Sequence, residues 1–413
     1  MSLLASNRNF RLLFSATAVS NLGDGVSALA FPWLATLITK DPTLIAAVAA
    51  ATRLPWLLLA LPAGVLTDRT DRRRLMVMAD LLRLLLTAGV VALIVSLPEL
   101  PLSGDPLYYI AGLCGLAFLL GTAEVVRDNA AQTALPAIVS SSDLERANGQ
   151  LWSIEQIMGS FVGPPLAGVL IAYAVPAPFT LDAITFGLAA WAVWMIAVPP
   201  RAARPKRPVL EELRVAFAYL WGNVPLRRLA LMLGAINAIA TASLTVLVLI
   251  SQEIYGLNGF WHGILLTAGA AGGVVGGLSC PAISARLGVQ RSILLSLALF
   301  PLSFLVIAVT NSIYVVAIAL FAEMFVALLW NVVTVSYRQR MIPDEMLGRV
   351  NSIYRFFAWG LMPVGALLGG FVVSWAEPDL GREAALRLPY LISFWVAVLL
   401  GIYGFFRLRV IPA

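Results

Sequence analysis

Long apolar segments separated by short polar ones are the feature that most constrains the fold of this chain. A membrane-spanning helix needs about 20 mostly apolar residues. Twelve segments meet that requirement, and they cover residues 10–38, 43–66, 75–97, 107–134, 148–174, 178–198, 229–254, 260–284, 291–310, 313–337, 350–375 and 388–407. Because lipid offers the backbone no hydrogen-bond partners, spanning segments are either helices or closed barrels. The alternating pattern of a membrane barrel is absent, so we predict an all-α integral membrane protein.

The distribution of positive charge predicts how the chain crosses the membrane. The net charge is +6, and only 12% of the residues are charged. Most arginines lie in loops that fall on one side of the predicted spans, whereas the other side has only Lys40, Arg382 and Arg387. Basic loops stay in the cytoplasm, so both termini are predicted to be cytoplasmic. The basic balance therefore reports topology and requires no nucleic-acid partner.

A polar run with the sequence GVLTDRTDRRR joins the second and third apolar segments. It predicts a tight cytoplasmic loop, because an acid flanked by arginines cannot lie in hydrocarbon. The run resembles the signature loop of the major facilitator superfamily. That resemblance implies twelve helices in two pseudo-symmetric six-helix bundles, with this loop gating the cytoplasmic side. The implied gating residues are Gly64, Asp68, Arg69, Asp71, Arg72, Arg73 and Arg74, together with Arg127 and Asp128 of the fourth segment.

The two halves of the chain are similar to each other. The motif RANG at 146–149 becomes RVNS at 349–352, and each precedes a glycine-rich stretch, GPPLAG or GALLGG. A six-plus-six duplication is a common transporter plan. We predict an N-terminal bundle at 1–199, a linker with an amphipathic helix at 200–228, and a C-terminal bundle at 229–413. The linker helix either lies on the membrane surface or is solvated.

The fifth apolar segment contains closely spaced small residues in the sequence GSFVGPPLAG. Gly159, Gly163, Pro164 and Gly168 resemble a motif found in exporters of the superfamily, with Ala167 where the family prefers glycine. The alternative interpretation is ordinary close packing, because small residues let membrane helices approach each other closely.

Charged residues inside membrane spans are costly and indicate function by default. Asp24, in the middle of the first segment, is the first candidate for a proton-carrying or substrate-facing carboxylate. The alternative is that Asp24 pairs with Arg53. Asp80 and Arg83, one turn apart, are expected to pair with each other. Further candidates for proton coupling or for the substrate cavity are Arg53 itself, Glu124, Glu155, Glu323 and Asn331.

Several classes of chemistry have no support in the sequence. The two cysteines, Cys114 and Cys280, lie on different apolar segments and predict no disulfide. The sequence contains no Walker loop, no metal-ligand cluster and no nucleophile–base pair. We therefore expect no cofactor, no metal and no enzymatic activity.

Taken as a whole, the chain resembles major facilitator transporters over nearly its full length. FRLLFSATAVSNLGDG and ALPAIVSSSDLERANG resemble bacterial macrolide-efflux and enterobactin exporters. This resemblance implies a monomeric, proton-coupled exporter of an amphipathic drug or secreted metabolite in the bacterial inner membrane. Its partners would be a small-molecule substrate, protons and the lipid bilayer. Three alternatives stay open: a lipid translocator, an uptake carrier, and a sensor that transports nothing.

Overall fold

The structure is a computed structural model that describes residues 3–140, 143–197 and 209–409. Within this range, the side chains at 61, 65, 68, 69, 145, 209–213, 344, 345, 347–349, 352 and 355 lie outside the description. The described chain is helical and has no β-strand. The helices of the first half are α1 (Leu3–Ser6), α2 (Arg8–Ile38), α3 (Pro42–Arg69), α4 (Arg72–Val95), α5 (Leu107–Ile138), α6 (Leu144–Gln156), α7 (Gly163–Tyr173) and α8 (Ala177–Trp194). The remaining helices are α9 (Val209–Gly222), α10 (Val224–Glu253), α11 (Gly259–Leu287), α12 (Val289–Val309), α13 (Ile313–Met341), α14 (Asp344–Gly360), α15 (Met362–Leu380) and α16 (Arg382–Arg407).

The predicted spans agree closely with these helices. Each of the twelve apolar segments lies mainly on helical backbone, although 178–198 runs past the end of α8 at Trp194. In the described chain eleven helical segments are long and apolar enough to cross a membrane. The predicted span that is not among these eleven is the first, which lies on α2, although that helix has 31 residues. Its central turns carry Asn21 and Asp24, which lower its mean hydropathy. The all-α membrane fold is therefore confirmed, but the count of twelve spans is not fully reproduced.

The helices form two compact units. The first comprises Met1–Lys40, Ala51–Pro205 and Asn258–Ile264, and the second comprises Asp41–Ala50, Lys206–Leu257 and Leu265–Ala413. In the first unit α2 packs on α8, and α4 packs on α5 and α8; in the second, α12 packs on α13 and α16, and α10 packs on α15. The first turns of α3 and of α11 are therefore grouped apart from the rest of their helices. The predicted boundaries at 199 and 229 stay a prediction.

The helix predicted in the linker is present as α9. It packs on α10 and α14, and the Tyr219 hydroxyl donates to the Met341 carbonyl at 3.0 Å. Leu220 is buried, whereas Phe217 and Trp221 are exposed and stack on each other at 5.2 Å. The packed face therefore belongs to the second unit, and Trp221 also contacts the Phe357 ring at 6.2 Å. Residues 200–208 of the predicted linker lie outside the described residues.

The fifth apolar segment is interrupted where the small-residue motif begins. Residues Ile157–Val162 form a π-helical turn between α6 and α7, and the Gly163 N–H bonds to the Met158 carbonyl, five residues back. Pro164 and Pro165 lack the N–H that would continue the normal ladder. Single π turns of this kind are frequent at functional sites. This π turn was not predicted from the sequence.

Candidate functional site

An ion pair between α2 and α4 lies at the centre of the first unit. The Arg83 guanidinium pairs with the Asp24 carboxylate and donates to the Ser20 hydroxyl at 3.2 Å. It also lies 3.8 Å from the centre of the Phe186 ring on α8. Arg83 is only 3% exposed, and a charge buried to this degree needs a partner. The alternative pairing of Asp24 with Arg53 is therefore wrong: Arg53 is exposed, and the cation next to Asp24 comes from the third predicted span.

The charges continue from Arg83 through α4 to α5. Asp80 Oδ1 lies 3.8 Å from Arg83 Nη1 and 3.6 Å from Arg127 Nε, and Arg127 Nη1 lies 3.6 Å from Asp128 Oδ1. We call Asp24, Arg83, Asp80, Arg127 and Asp128 the charge cluster. The predicted Asp80–Arg83 pair is present, but Arg83 lies closer to Asp24.

The buried centre of the charge cluster is incompletely satisfied. Both carboxylate oxygens of Asp80 are buried and accept no hydrogen bond from a described residue, and Arg127 Nε and Nη2 donate none. Asp80 is fully buried, whereas Asp24 and Asp128 at the two ends are 32% and 36% exposed. Burial is therefore deepest in the middle, and the end carboxylates are the accessible ones.

Two predicted carboxylates lie beside the charge cluster. Glu124 on α5 is within electrostatic range of Asp24, Arg83 and Asp128. Glu155 on α6 is within range of Arg127 and Asp128. Both are half-buried. The structure thus groups Asp24, Glu124 and Glu155 around two arginines, Arg83 and Arg127.

Asp182 is a carboxylate of this region that sequence reasoning missed. It lies on α8, is 1% exposed, and accepts a hydrogen bond from the Ser27 hydroxyl of α2. A side chain at Gly23 would collide with it, because a Cβ there would lie 2.1 Å from Asp182 Oδ1. Asp182 is the one ionisable residue between 178 and 198, so the rule that singled out Asp24 would also have found it.

The candidates of the second half are not grouped in this way. Glu323 on α13 is half-buried and has neither an ion pair nor a hydrogen bond with the residues that the structure describes. It is within electrostatic range of the buried Tyr390. Asn331 is exposed. Nearby on the same helix, Arg338 is buried and lies 3.6 Å from the centre of the Tyr354 ring. In the second unit, the prediction of a coupling site rests on Glu323 alone.

The signature run forms the expected tight loop. Only Thr70 and Asp71 lie between α3 and α4. Asp71 caps α4 by accepting from the Arg74 N–H at 2.7 Å, as a carboxylate at a helix N-terminus does. Arg72 donates to the Thr133 carbonyl of α5 at 2.6 Å, so this loop is tied to the helix that carries Arg127.

The gating role of this loop stays a prediction. The side chains of Asp68 and Arg69 lie outside the described residues. Arg73 is half-buried and Arg74 is exposed. A Cβ added at Gly64 would meet no described atom within 4 Å. Arg127, predicted to communicate with the loop, instead faces Asp80.

The exporter-type motif is a close-packed seam. A Cβ at Gly163 would lie 2.6 Å from the Gly25 backbone, and one at Gly25 would lie 2.3 Å from the Gly159 carbonyl. Gly168 packs equally closely on Gly259 at the start of α11. Here α7 and the π turn meet α2 at Gly25, which directly follows Asp24 and lies two residues before Ser27. The close packing is therefore real, and it supports the helix that carries Asp24.

This combination of helices, signature loop and intramembrane charges agrees with one known family. The family model for transmembrane secretion effectors, a branch of the major facilitator superfamily, matches residues 3–400. The chain belongs to that family. It is similar to the multidrug efflux pump Tap of Mycobacterium tuberculosis, with 29% identity over 95% of this chain and 94% of Tap. It is also similar to the enterobactin exporter EntS of Citrobacter koseri, with 26% identity over 86% of this chain and 82% of EntS.

Solved structures agree on the fold. A crystal structure of a mutant of the nucleoside transporter NupG superposes with a TM-score of 0.78 and 12% identity, covering 97% of this chain and 100% of NupG. The transmembrane secretion effector is thus a multi-pass membrane transporter of small molecules with the major facilitator fold. It is not an enzyme, and its described residues contain no cluster of His, Cys, Asp and Glu that could hold a metal ion.

Proposed function

We propose that this transmembrane secretion effector is a proton-coupled exporter of amphipathic small molecules, either drugs or secreted metabolites such as siderophores. It would work by alternating access, as a monomer, in the bacterial cytoplasmic membrane, with both termini in the cytoplasm. The observation that carries the proposal is the buried Asp24–Arg83 pair inside a region with more carboxylates than cations. The relatives Tap and EntS, an efflux pump and an exporter, support the direction of transport.

The charge balance of this region favours proton binding. Asp24, Asp80, Glu124, Asp128 and Asp182 lie near Arg83 and Arg127, and Arg53 is a third cation within electrostatic range of Glu124. Uncompensated charge in a low-dielectric interior is costly, so the surplus negative charge must be balanced by protons or by a cationic ligand. An antiporter uses a site of this kind, because a proton and a substrate can occupy it in turn.

Asp24 is the carboxylate best placed for this exchange. It is half-exposed, whereas its partner Arg83 is buried. A proton on Asp24 breaks the ion pair and leaves Arg83 with Asp80 at 3.8 Å. Removing one partner of a buried pair costs about 3–5 kcal/mol. A change of that size can shift a conformational equilibrium by several orders of magnitude, which couples protonation to alternating access.

The experiment uses purified protein in liposomes with an imposed pH gradient and an internal pH dye. Lipophilic cations, macrolides and catechol siderophores are added one at a time. We expect one class to trigger proton movement, and we expect Asp24→Asn to abolish that movement while the protein still inserts. Glu99→Gln is the matched control, because Glu99 is an exposed carboxylate outside the spans.

Full coupling in Asp24→Asn would remove Asp24 from the mechanism. Binding without proton or substrate flux in the unmodified protein would contradict the proposal as a whole.

A further inference from the structure

The second unit has an apolar groove between α12 and α16. Its volume is about 310 Å³, and its lining, which includes Leu294, Pro301, Gly401 and Phe405, is apolar throughout. Gly401 lets α16 approach α12 closely, because a Cβ added there would lie 3.2 Å from the Leu297 carbonyl. Phe405 and Phe406 are both more than two-thirds exposed and border one end. The groove therefore suits a flexible hydrocarbon chain.

Three arginines, which we call the basic end, lie at the same end of the groove as these phenylalanines. Arg291 is one turn before Leu294 on α12, and helical residues three apart share a face. Arg407, the last residue of α16, directly follows Phe406, and Arg409 lies two residues beyond the end of that helix. All three are exposed. The ends of the two helices are held together there, because the Gln290 side chain donates to the Leu408 carbonyl at 2.7 Å.

The two helices that form the groove bring no acidic residue to the basic end. The sequence has no Asp or Glu from 254 to 322 or from 384 to 413, so neither α12 nor the part of α16 beyond its first turn supplies a carboxylate. The neighbouring α10 adds more positive charge: Arg228 donates to the Arg407 carbonyl and lies 6.0 Å from the centre of the Tyr403 ring. The groove thus ends at a cluster of exposed basic side chains.

We propose that the groove binds one acyl chain of an anionic phospholipid, whose phosphate is held by Arg291, Arg407 and Arg409. A basic cluster beside a membrane helix attracts anionic headgroups, and the apolar groove adds a site for the chain attached to the headgroup. A second copy of this protein is a poor occupant, because a symmetric contact would bring two basic ends together. The site shares no residue with the charge cluster. Only its assignment to the cytoplasmic leaflet depends on the proposed topology.

The test uses phosphatidylglycerol with a photoreactive group on its acyl chain, incorporated into phosphatidylcholine vesicles that contain the full-length protein. After illumination, labelled peptides are mapped by mass spectrometry. We expect labelling to concentrate on α12 and α16 around Ala298 and Gly401. Each of Arg291→Gln and Arg409→Gln should lower it about fivefold, the effect of losing one basic residue near an anionic surface.

Three controls separate this site from ordinary lipid contact. Arg8→Gln, which removes an exposed arginine of the first unit, should leave the labelling unchanged. Photoreactive phosphatidylcholine should label the groove much less than phosphatidylglycerol does. Ala298→Trp, which fills the groove and leaves the arginines in place, should also reduce labelling. Equal labelling by both lipids, labelling that is indifferent to the arginines, or protein–protein crosslinks at α12 and α16 would overturn the proposal.

Discussion

The Arg83 side chain links α2, α4 and α8 of the first unit through ion pairs and a cation–π contact. It forms an ion pair with Asp24 on α2, lies on the Phe186 ring of α8, and approaches Asp80 on its own helix. A planar guanidinium can donate in its plane and stack on an aromatic ring at the same time, which an ammonium cannot do equally well. Arg83 therefore holds together the region that we assign to proton coupling.

Replacing Arg83 should strongly destabilise the first unit. Arg83→Gln leaves Asp24 and the buried Asp80 without their shared cation, and we expect a loss of about 3–5 kcal/mol. Arg83→Lys keeps the charge but loses the stacked geometry, so its loss should be smaller. Thermal unfolding in detergent, followed by exposure of the buried Cys280 and the half-buried Cys114 to a thiol-reactive dye, measures the effect. Arg74→Gln, at an exposed site, should be neutral, and an equally neutral Arg83→Gln would contradict the role given to the ion pair.

At the scale of elements, the seam between α2 and α7 depends on the absence of side chains. Gly25 and Gly163 bring the two backbones into contact, and the π turn before Gly163 sets the register in which they meet. Because α2 carries Asp24 and Ser27 within two residues of Gly25, this seam also sets the position of the candidate site. A motif that resembles an exporter signature thus has a definite packing role in this fold.

Adding one methyl group at the seam should be harmful. Gly163→Ala places a Cβ 2.6 Å from the Gly25 backbone, and overpacking of this kind costs about 1–3 kcal/mol. Gly115→Ala is the matched control, because it lies inside α5 with no described atom within 4 Å of the added Cβ. There the better helix propensity of alanine should give a gain of up to about 1 kcal/mol. Unfolding of the two variants in the same detergent compares them, and equal stability would show that the seam relaxes freely.

At the scale of the whole molecule, the arginine distribution should determine the orientation in the membrane. We expect Glu99→Cys, in the segment before α5, to face outward, and Arg214→Cys, on α9, to face the cytoplasm. Both variants are made after Cys114 and Cys280 are replaced by serine. A membrane-impermeant maleimide added to intact cells should label the first position and spare the second until the cells are opened. The reverse pattern would invert the topology and place both termini outside.

The amino-acid sequence alone determined the class of the molecule. Apolar segment length predicted helices across a membrane, because backbone polar groups in lipid must bond within their own segment. The run from Gly64 to Arg74 indicated the superfamily, and the rule that buried charges are costly selected Asp24, Glu124 and Glu155. These inferences depend only on whether a segment is stable in lipid or in water. That preference follows from the residues of the segment itself.

The tertiary structure decided which charges meet. Asp24 pairs with Arg83, which lies 59 positions away in the chain, and Asp182 joins the same region from α8. Helical spacing defines the face of each span, but it does not reveal which faces of different helices are packed together. That choice follows from side-chain volume and close contact at positions such as Gly23 and Gly25. The identity of the ion pairs is therefore a property of helix packing, and no single segment of the sequence contains it.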